Sequence, residues 1–278
     1  MGSSGGNVTD LTKREAHFEF GENWAEFAAK LTPSHVDNAV RSLARLLPDG
    51  LAQASFLDIG CGSGLSAVAA ARLGAARIEA CDIDENSVRT TEQVLATFAP
   101  AVQRRVRLAS VFDLSPAVDG QFDVVHSWGV LHHTGAMDRA VKAAAALVRP
   151  GGLFVVALYN KTALCGAWTV EKRIYARSPR VLQKLAQVAF VAARLPVQAV
   201  MFRRSPFALI REYDANRGMN YWNDVHDWLG GYPYESATPA ETDAMVGPSF
   251  ARERAFTTAG RLGVFGSGCN EFVFRRRP

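Results

Sequence analysis

A carboxylate stands directly before three closely spaced glycines in this sequence. The segment runs Asp58-Ile-Gly-Cys-Gly-Ser-Gly64 and follows the apolar residues Phe56 and Leu57. Because glycine has no Cβ, such a turn can curl tightly and bring backbone close to a ligand. The pattern predicts a strand that ends near Ile59, a glycine turn and a helix from about Gly64. Ligands of open α/β sheets bind at such a turn.

The spacing of these glycines separates two kinds of ligand. A dinucleotide fingerprint has the spacing G-x-G-x-x-G, whereas this segment reads G-x-G-x-G and places Leu65 where the third glycine would stand. The carboxylate of Asp58 would repel a pyrophosphate and attract a cationic or amino-bearing ligand. The segment therefore favours a nucleoside ligand that carries an amino group.

Two adjacent histidines form a second candidate for chemistry. The segment Val130-Leu-His-His-Thr134 follows a predicted fourth strand, 121–126. An imidazole with a pKa near its ordinary value of about 6.5 is largely neutral at pH 7 and can take a proton from a hydroxyl, which is worth about 10²–10⁴-fold in rate. The sequence does not choose between His132 and His133, and it leaves open that the pair only packs against the next helix.

The elements that must position these residues alternate between strand and helix. Apolar stretches predict strands at 56–59, 77–82, 105–109, 121–126 and 153–158, and two later strands at 250–257 and 270–275. Asp82 lies 22 residues after Gly60, where a strand-end carboxylate can accept hydrogen bonds from ribose hydroxyls. Asp84 is the expected cap of the following helix.

At this point the chain resembles the class I S-adenosylmethionine-dependent methyltransferases, over about residues 54–160. The resemblance rests on the glycine segment, on Asp82, on the histidine segment and on Arg149-Pro-Gly-Gly152 before strand five. It implies a Rossmann-like α/β fold: a seven-stranded, mostly parallel sheet with an antiparallel last strand. It also implies S-adenosyl-L-methionine as cofactor, held by Asp58, Gly60, Cys61, Gly62, Ser63, Gly64, Asp82, Ile83, Ser127 and a contact near Ser110, Val111 and Phe112.

The third strand departs from the family pattern. A carboxylate that holds the adenine amino group often follows this strand, but Ser110 stands there and Asp113 comes three residues later. The histidine segment is similar to the corresponding segment of small-molecule O-methyltransferases. The chain lacks the [Asp/Asn/Ser]-Pro-Pro-aromatic motif of enzymes that methylate nucleobase amines, so it is not expected to act on nucleic acid.

Composition narrows the class of protein. The 278 residues are 48% hydrophobic and carry a net charge of +4, which is too weak to indicate a nucleic-acid partner. The four cysteines form no C-x-x-C pair and predict neither a zinc site nor a disulfide framework. No signal peptide or spanning segment is evident, so a cytoplasmic protein is expected.

The sequence divides into four predicted parts: N-terminal helices that cover the cofactor (1–50), the cofactor-binding core (51–160), a helical insertion that covers the substrate (161–237) and the end of the core (238–278). The first part contains an aromatic helical stretch, 10–31, in which Trp24 is expected to contact the cofactor. In the insertion, residues 181–202 are strongly apolar and interrupted by Pro196, which should kink or split a helix. Packing on the domain or on a second copy in a homodimer is favoured, and contact with a membrane is the alternative.

The rest of the insertion mixes aromatic and polar side chains, which suits a small polar acceptor. His226 is a third candidate base, and the predicted acceptor contacts are Trp128, Tyr159, Tyr221, Trp222, Asp227 and Tyr232. The spacing of Asp224, His226 and Asp227 fits no established metal motif, so no metal is predicted.

The predicted function is methyl transfer to a hydroxyl of a small polar metabolite, such as a sugar or natural product, with a histidine as general base. Methylation of a phenol or quinone with a lipid tail at a membrane surface is the first alternative. A cofactor-binding module without catalytic activity is the second.

Overall fold

The computed structural model describes residues 28, 31–217, 221–258 and 263–278. Trp24 lies outside them, as does almost all of the predicted aromatic helix at 10–31. The prediction for that segment therefore stays a prediction.

Seven strands form a single sheet. Their order is β3-β2-β1-β4-β5-β7-β6, and β7 runs antiparallel to both of its neighbours while the other pairs are parallel. The predicted sheet with its antiparallel last strand is confirmed. The strands are β1 Ser55–Ile59, β2 Arg77–Asp82, β3 Gln103–Leu108, β4 Phe122–Trp128, β5 Val148–Tyr159, β6 Phe250–Phe256 and β7 Cys269–Arg276.

In the described part of the chain, ten α-helices connect these strands or extend from them. They are α1 Pro33–Leu46, α2 Leu65–Arg72, α3 Glu85–Phe98, α4 Pro116–Asp119, α5 Met137–Ala146, α6 Cys165–Arg177, α7 Arg180–Phe202, α8 Pro206–Arg217, α9 Tyr221–Gly230 and α10 Pro239–Val246. As predicted, Asp84 caps α3, and its carboxylate accepts the backbone N–H groups of Asn86 and Ser87. Thr32 is the N-cap residue of helix α1, and Pro33 takes the first helical position, which its fixed φ suits.

Alternate residues of the central strands face opposite sides of the sheet. Leu57, Val125 and Val156 pack with α5 and α10 on one face. Phe56 and Val124 pack with α1, α2 and α3 on the other face. Since both faces are covered, apolar residues of the central strands are buried on both sides of the sheet, which is typical of parallel sheets. This packing leaves the carboxyl ends of the strands as the open edge.

Strand β5 begins earlier than the sequence indicates. The Arg149-Pro-Gly-Gly152 segment lies within the strand rather than before it, in an irregularity where pairing moves from Phe122 with Val148 to Val124 with Leu153. Gly151 takes a φ of 75° there, which explains why the segment has the composition of a turn.

Helices α6 to α9 lie between β5 and α10 and form an apolar cluster of their own. Helix α7 continues through Pro196, so the predicted split is wrong. Helix α7 packs on the other inserted helices through buried Val191. Polar Gln187 is also buried and donates hydrogen bonds to the Tyr175 hydroxyl (2.7 Å) and to His226 Nδ1 (3.0 Å), while other apolar residues of the helix remain exposed. Among the described residues, no helix combines the length and apolar character needed to cross a membrane.

Candidate active site

The glycine turn after β1 has the backbone conformation that only glycine adopts easily. Gly60, Gly62 and Gly64 have φ values of 76°, 52° and 78°. A Cβ at Gly60 would lie 2.4 Å from a methyl group of Val130, and one at Gly64 would lie 2.9 Å from the Cα of Thr91. The turn is therefore packed against the histidine segment on one side and against α3 on the other.

Asp58 is buried at the base of this turn. Its Oδ1 lies 2.8 Å from Nδ1 of His126 on β4, which donates the hydrogen bond. Its Oδ2 is buried and has no hydrogen-bond partner among the described residues. A buried carboxylate oxygen without a partner is costly, and a ligand ammonium group would satisfy it. This part of the site thus fits a ligand with an amino group.

Asp82 connects the end of β2 to the turn. Its Oδ2 accepts the N–H of Gly62 at 3.0 Å and its Oδ1 accepts the N–H of Asp84 at 3.0 Å. Burial raises the pKa of the carboxyl from 3.8 to about 6, although these two N–H groups favour the ionised form. Each oxygen retains acceptor capacity for a hydroxyl.

The segment after β3 caps a short 3₁₀ turn at Val111–Asp113. The Ser110 hydroxyl accepts the N–H of Phe112 at 3.3 Å, and Asp113 accepts the N–H of Ser110 at 3.0 Å. Two of the groups predicted to hold an adenine are thus engaged with each other. Ser110, Val111 and Phe112 nevertheless line the cavity described below.

The two histidines after β4 differ in position. His133 lines the cavity, and its Nδ1 lies 2.7 Å from the carbonyl oxygen of Pro233, so Nδ1 carries the proton and Nε2 is the basic nitrogen. His132 is fully buried and is absent from the cavity wall. Its Nδ1 accepts the N–H of Tyr159 at 3.3 Å, and burial next to His133 and Lys172 lowers its pKa well below 6.5.

One cavity of about 1600 Å³ joins the glycine turn to the inserted helices. Asp58, Gly60, Cys61, Gly62, Ser63, Asp82 and Ile83 line one part of it, together with residues of α1. Trp128, Tyr159, Asp227, Trp168, Phe190, Trp228 and Tyr234 line another part. His133 lines the same cavity, three residues after the Val130 that packs on Gly60.

Charged groups lie among the aromatic rings of the inserted part. Lys172 is buried, donates a hydrogen bond to the carbonyl oxygen of Trp228 and lies 5.3 Å from the ring of Tyr234. Burial lowers its pKa, and Asp227 opposes that shift. The Arg194 guanidinium stacks 4.0 Å from the ring of Trp228. This wall can therefore hold a flat apolar ring while offering polar groups to its substituents.

Several predicted site residues lie away from the cavity. On α9 the helical period of 3.6 residues directs Asp224, Asp227 and Trp228 inward, which places His226 and Trp222 on the far side. His226 there accepts a hydrogen bond from the Tyr175 hydroxyl at 2.6 Å, so its prediction as a base is not supported.

The other predicted site residues that lie outside the cavity lining are held by packing, by a hydrogen bond or by their place in the backbone. Tyr221 is buried in the apolar cluster of the insertion, and Tyr232 is outside the cavity lining. Ser127 is buried and donates its hydroxyl hydrogen to the Ile59 carbonyl at 3.0 Å. Gly64 opens α2 without lining the cavity.

Sequence reasoning missed much of the acceptor wall. Trp168, Lys172, Phe190, Arg194 and Tyr234 line the cavity but were not predicted to do so. One signal was available in the sequence: Lys172 interrupts the helical apolar pattern of α6. A lysine is almost never fully buried without a partner, so its position among apolar residues indicates a polar site. No group of three or more His, Cys, Asp or Glu side chains in the part of the chain that the structure describes is arranged to hold a metal ion.

The sequence matches known proteins over the same region. Residues 57–156 match the family model described as "Methyltransferase domain". The chain is 35% identical over 153 residues to the ubiquinone biosynthesis O-methyltransferase of Caulobacter vibrioides, covering 50% of this chain and 59% of that protein. It is 32% identical over 160 residues to the protein of the same name from Xanthomonas campestris pv. campestris, covering 58% of this chain and 64% of that protein. The match therefore spans less than two thirds of either relative.

Solved structures share the fold over most of the chain. Magnesium protoporphyrin IX methyltransferase from Synechocystis PCC 6803 with bound S-adenosylhomocysteine superposes with a TM-score of 0.54 at 16% identity, covering 92% of this chain and 93% of that one. The N-methyltransferase NodS from Bradyrhizobium japonicum WM9 superposes with a TM-score of 0.53 at 13% identity, covering 93% and 99%. At these identities the likeness concerns the fold alone.

Proposed function

We propose that this chain, whose residues 57–156 belong to the methyltransferase domain family and adopt the class I fold, transfers a methyl group from S-adenosyl-L-methionine to a hydroxyl of a small molecule. The single observation that carries the proposal is the continuous cavity, which is lined by the glycine turn, by the His133 imidazole and by the aromatic wall of the insertion. This lining supports a donor site, a base and an acceptor site within one cavity.

The residues around the glycine turn fit the cofactor. The unpartnered Oδ2 of Asp58 suits the amino group of its methionine part, and Asp82 suits the ribose hydroxyls. Ser110, Val111 and Phe112 would contact the adenine. When bound, S-adenosyl-L-methionine supplies a methyl group already activated by its sulfonium sulfur.

His133 is the proposed general base. Its Nδ1–H is held by the Pro233 carbonyl, so Nε2 offers a lone pair and can take the proton from the acceptor hydroxyl. The acceptor oxygen would then bond to the methyl carbon while the bond from that carbon to the sulfonium sulfur breaks, which would leave S-adenosylhomocysteine. His132 acts through position: its ring packs 3.9 Å from the Tyr159 ring and 4.4 Å from the His133 ring, and so supports both.

We propose a hydroxyl on an aromatic ring as the acceptor group. The rings of Trp168, Phe190 and Trp228 offer flat apolar surfaces for such a ring. The relatives named for ubiquinone biosynthesis support the same choice. This replaces the sugar-like acceptor as the first candidate, because Tyr221, Trp222 and Tyr232 lie outside the cavity lining. A polar acceptor remains the second candidate because Asp224 and Asp227 line the cavity.

Radiolabelled methyl transfer tests the proposal. The chain is incubated with S-adenosyl-L-methionine labelled in the methyl group and with either an alkyl-substituted catechol or methyl glucoside. We expect label in the catechol, a loss of about 10²–10⁴-fold in rate for His133→Ala, and a rate near that of the parent protein for His226→Ala. Transfer to the glucoside alone would favour the second candidate.

A third outcome separates the catalytically inactive alternative. If S-adenosylhomocysteine binds but no label reaches either acceptor or a wider panel of hydroxyl compounds, the chain is a binding module. Equal rates for parent and His133→Ala with active enzyme would show that positioning suffices and would remove His133 from the proposal.

A further inference from the structure

The outward face of α7 is apolar along its length. Val181, Leu185 and Val200 are 72%, 61% and 80% exposed, and Val188 between them is 56% exposed. Apolar residues on a surface helix normally face the core. Here the core side of the helix carries buried Val191 as well as buried Gln187, and a second strip of apolar residues is left facing outward. A contiguous apolar patch of this kind marks an interaction surface.

Helix α6 extends this surface, which we call the outer face of α6 and α7. Val170 and Ile174 of α6 are 59% and 63% exposed. Together with Leu182 and Ala186 of α7 they border a groove of about 420 Å³. The exposed apolar residues thus form one continuous area across two helices rather than scattered side chains.

Positive charge is concentrated on the same helices. Residues 165–211 contain nine basic residues and one acidic residue, Glu171. Two of the nine, Lys172 and Arg194, line the cavity, and the other seven lie elsewhere on this stretch. The whole chain has 31 basic and 27 acidic residues, which leaves 22 basic against 26 acidic residues elsewhere, a net charge of −4. Arg173, Arg177, Arg180 and Lys184 are exposed, and none of them forms an ion pair with the acidic side chains that the structure describes.

We propose that the outer face of α6 and α7 docks onto an anionic lipid bilayer. A helix with an apolar face and flanking cations lies in the plane of the interface, with its apolar side chains among the acyl chains. Long arginine side chains such as Arg173 and Arg177 can lay their stems on apolar surface and reach headgroup phosphates. Anionic lipids supply the opposite charge for the basic excess of these helices.

A second copy of the chain fits this surface less well. In a two-fold dimer the same patch meets itself, so the cations of one copy would face the cations of the other. That arrangement brings like charges together with few acids to separate them. Charge complementarity therefore favours the bilayer over a homodimer through this face.

Vesicle flotation tests the proposal without reference to activity. The chain is mixed with vesicles of phosphatidylcholine alone or of phosphatidylcholine and phosphatidylglycerol in equal parts. We expect binding to the anionic vesicles, weaker binding at higher salt and little binding to the neutral ones. Leu185→Gln should reduce partitioning about tenfold or more, and Arg173→Gln and Arg177→Gln about fivefold each.

Val118→Gln is the matched control, because Val118 is 83% exposed and lies on α4 outside the proposed face. It should bind like the parent, and thermal unfolding should show that all variants are folded. Failure of the parent to float with anionic vesicles would overturn the proposal, as would full binding by Leu185→Gln. A dimer that Leu185→Gln abolishes, without vesicle binding, would also overturn it and assign the face to a second copy.

Discussion

Gly231 stands against the His133 ring, and replacing it with alanine tests the role of that ring without removing it. The φ of Gly231 lies outside the left-handed region, so an alanine can adopt this backbone conformation. Its Cβ would lie 2.7 Å from Cε1 and 3.3 Å from Nε2 of His133. A third contact, 3.2 Å to the backbone oxygen of Asp227, is milder, so Gly231→Ala acts mainly on the ring.

The size of the effect follows from these distances. Carbon atoms in contact are separated by about 3.5–4.0 Å, so the ring must move by about 0.8 Å or more. Overpacking of this kind costs about 1–3 kcal/mol in stability. The movement also disturbs the 2.7 Å hydrogen bond from Nδ1 to the Pro233 carbonyl that fixes the tautomer. A misplacement of about 1 Å can cost about 10²-fold in rate.

The assay compares methyl-transfer rates of the parent, Gly231→Ala, His133→Ala and the double variant on the alkyl-substituted catechol. We expect the double variant to be no slower than His133→Ala, because both changes act through the same imidazole. Gly166→Ala is the control: a Cβ there meets nothing within 4 Å. If Gly231→Ala lowered the methyl-transfer rate of the parent and of His133→Ala by the same factor, the substitution would not act through the imidazole.

Three further changes probe the cofactor part of the cavity. Burial raises the pKa of Asp82 to about 6. Because the carboxylate is the accepting form, affinity for S-adenosylhomocysteine should be constant above that pH and fall by up to about tenfold per pH unit below it. Calorimetry should show a flatter pH profile for Asp82→Asn, and a flat profile for the parent would contradict the assignment. Asp58→Asn should weaken the same ligand about 10–150-fold by removing a charge-assisted hydrogen bond, and unchanged affinity would show that the amino group binds elsewhere. Gly60→Ala should lower the free energy of unfolding by about 2–5 kcal/mol, because the position has a positive φ and a Cβ there would meet Val130. Denaturant unfolding should show that adding Val130→Ala recovers part of the loss. No recovery would mean that the contact with Val130 is not the cause.

The core of the fold could be predicted because its signals are local. A strand, a glycine turn and a helix follow each other within residues 55–72, and the strand-end carboxylate at Asp82 lies at a fixed distance along the chain. Each of these features constrains a few neighbouring dihedral angles. Their order along the chain then restricts how the strands can pair.

The insertion could be predicted far less well, because its packing depends on contacts between distant segments. The apolar pattern of α7 indicates a buried apolar face, yet polar Gln187 is buried beside Val191 because it bonds Tyr175 and His226, and other apolar residues stay exposed. On α9 a difference of one residue moves a side chain by about 100° around the helix. Composition alone therefore did not distinguish inward-facing Asp227 from outward-facing His226.

The histidine pair shows where sequence and structure complement each other. The segment predicts a base after β4, but the proposed choice of His133 over His132 rests on the cavity lining and on Pro233, a hundred residues later. That carbonyl fixes the proton on Nδ1 of His133. His132 instead accepts the backbone N–H of Tyr159.

Binding of S-adenosylhomocysteine is the measurement that tests the central claim most directly. Calorimetric titration of the chain should show saturable binding at one site, which Asp82→Ala weakens or abolishes. The His133→Ala variant should bind S-adenosylhomocysteine like the parent, because the proposed base acts on the acceptor hydroxyl and not on the cofactor. Absence of any saturable binding by the folded parent chain would contradict the account.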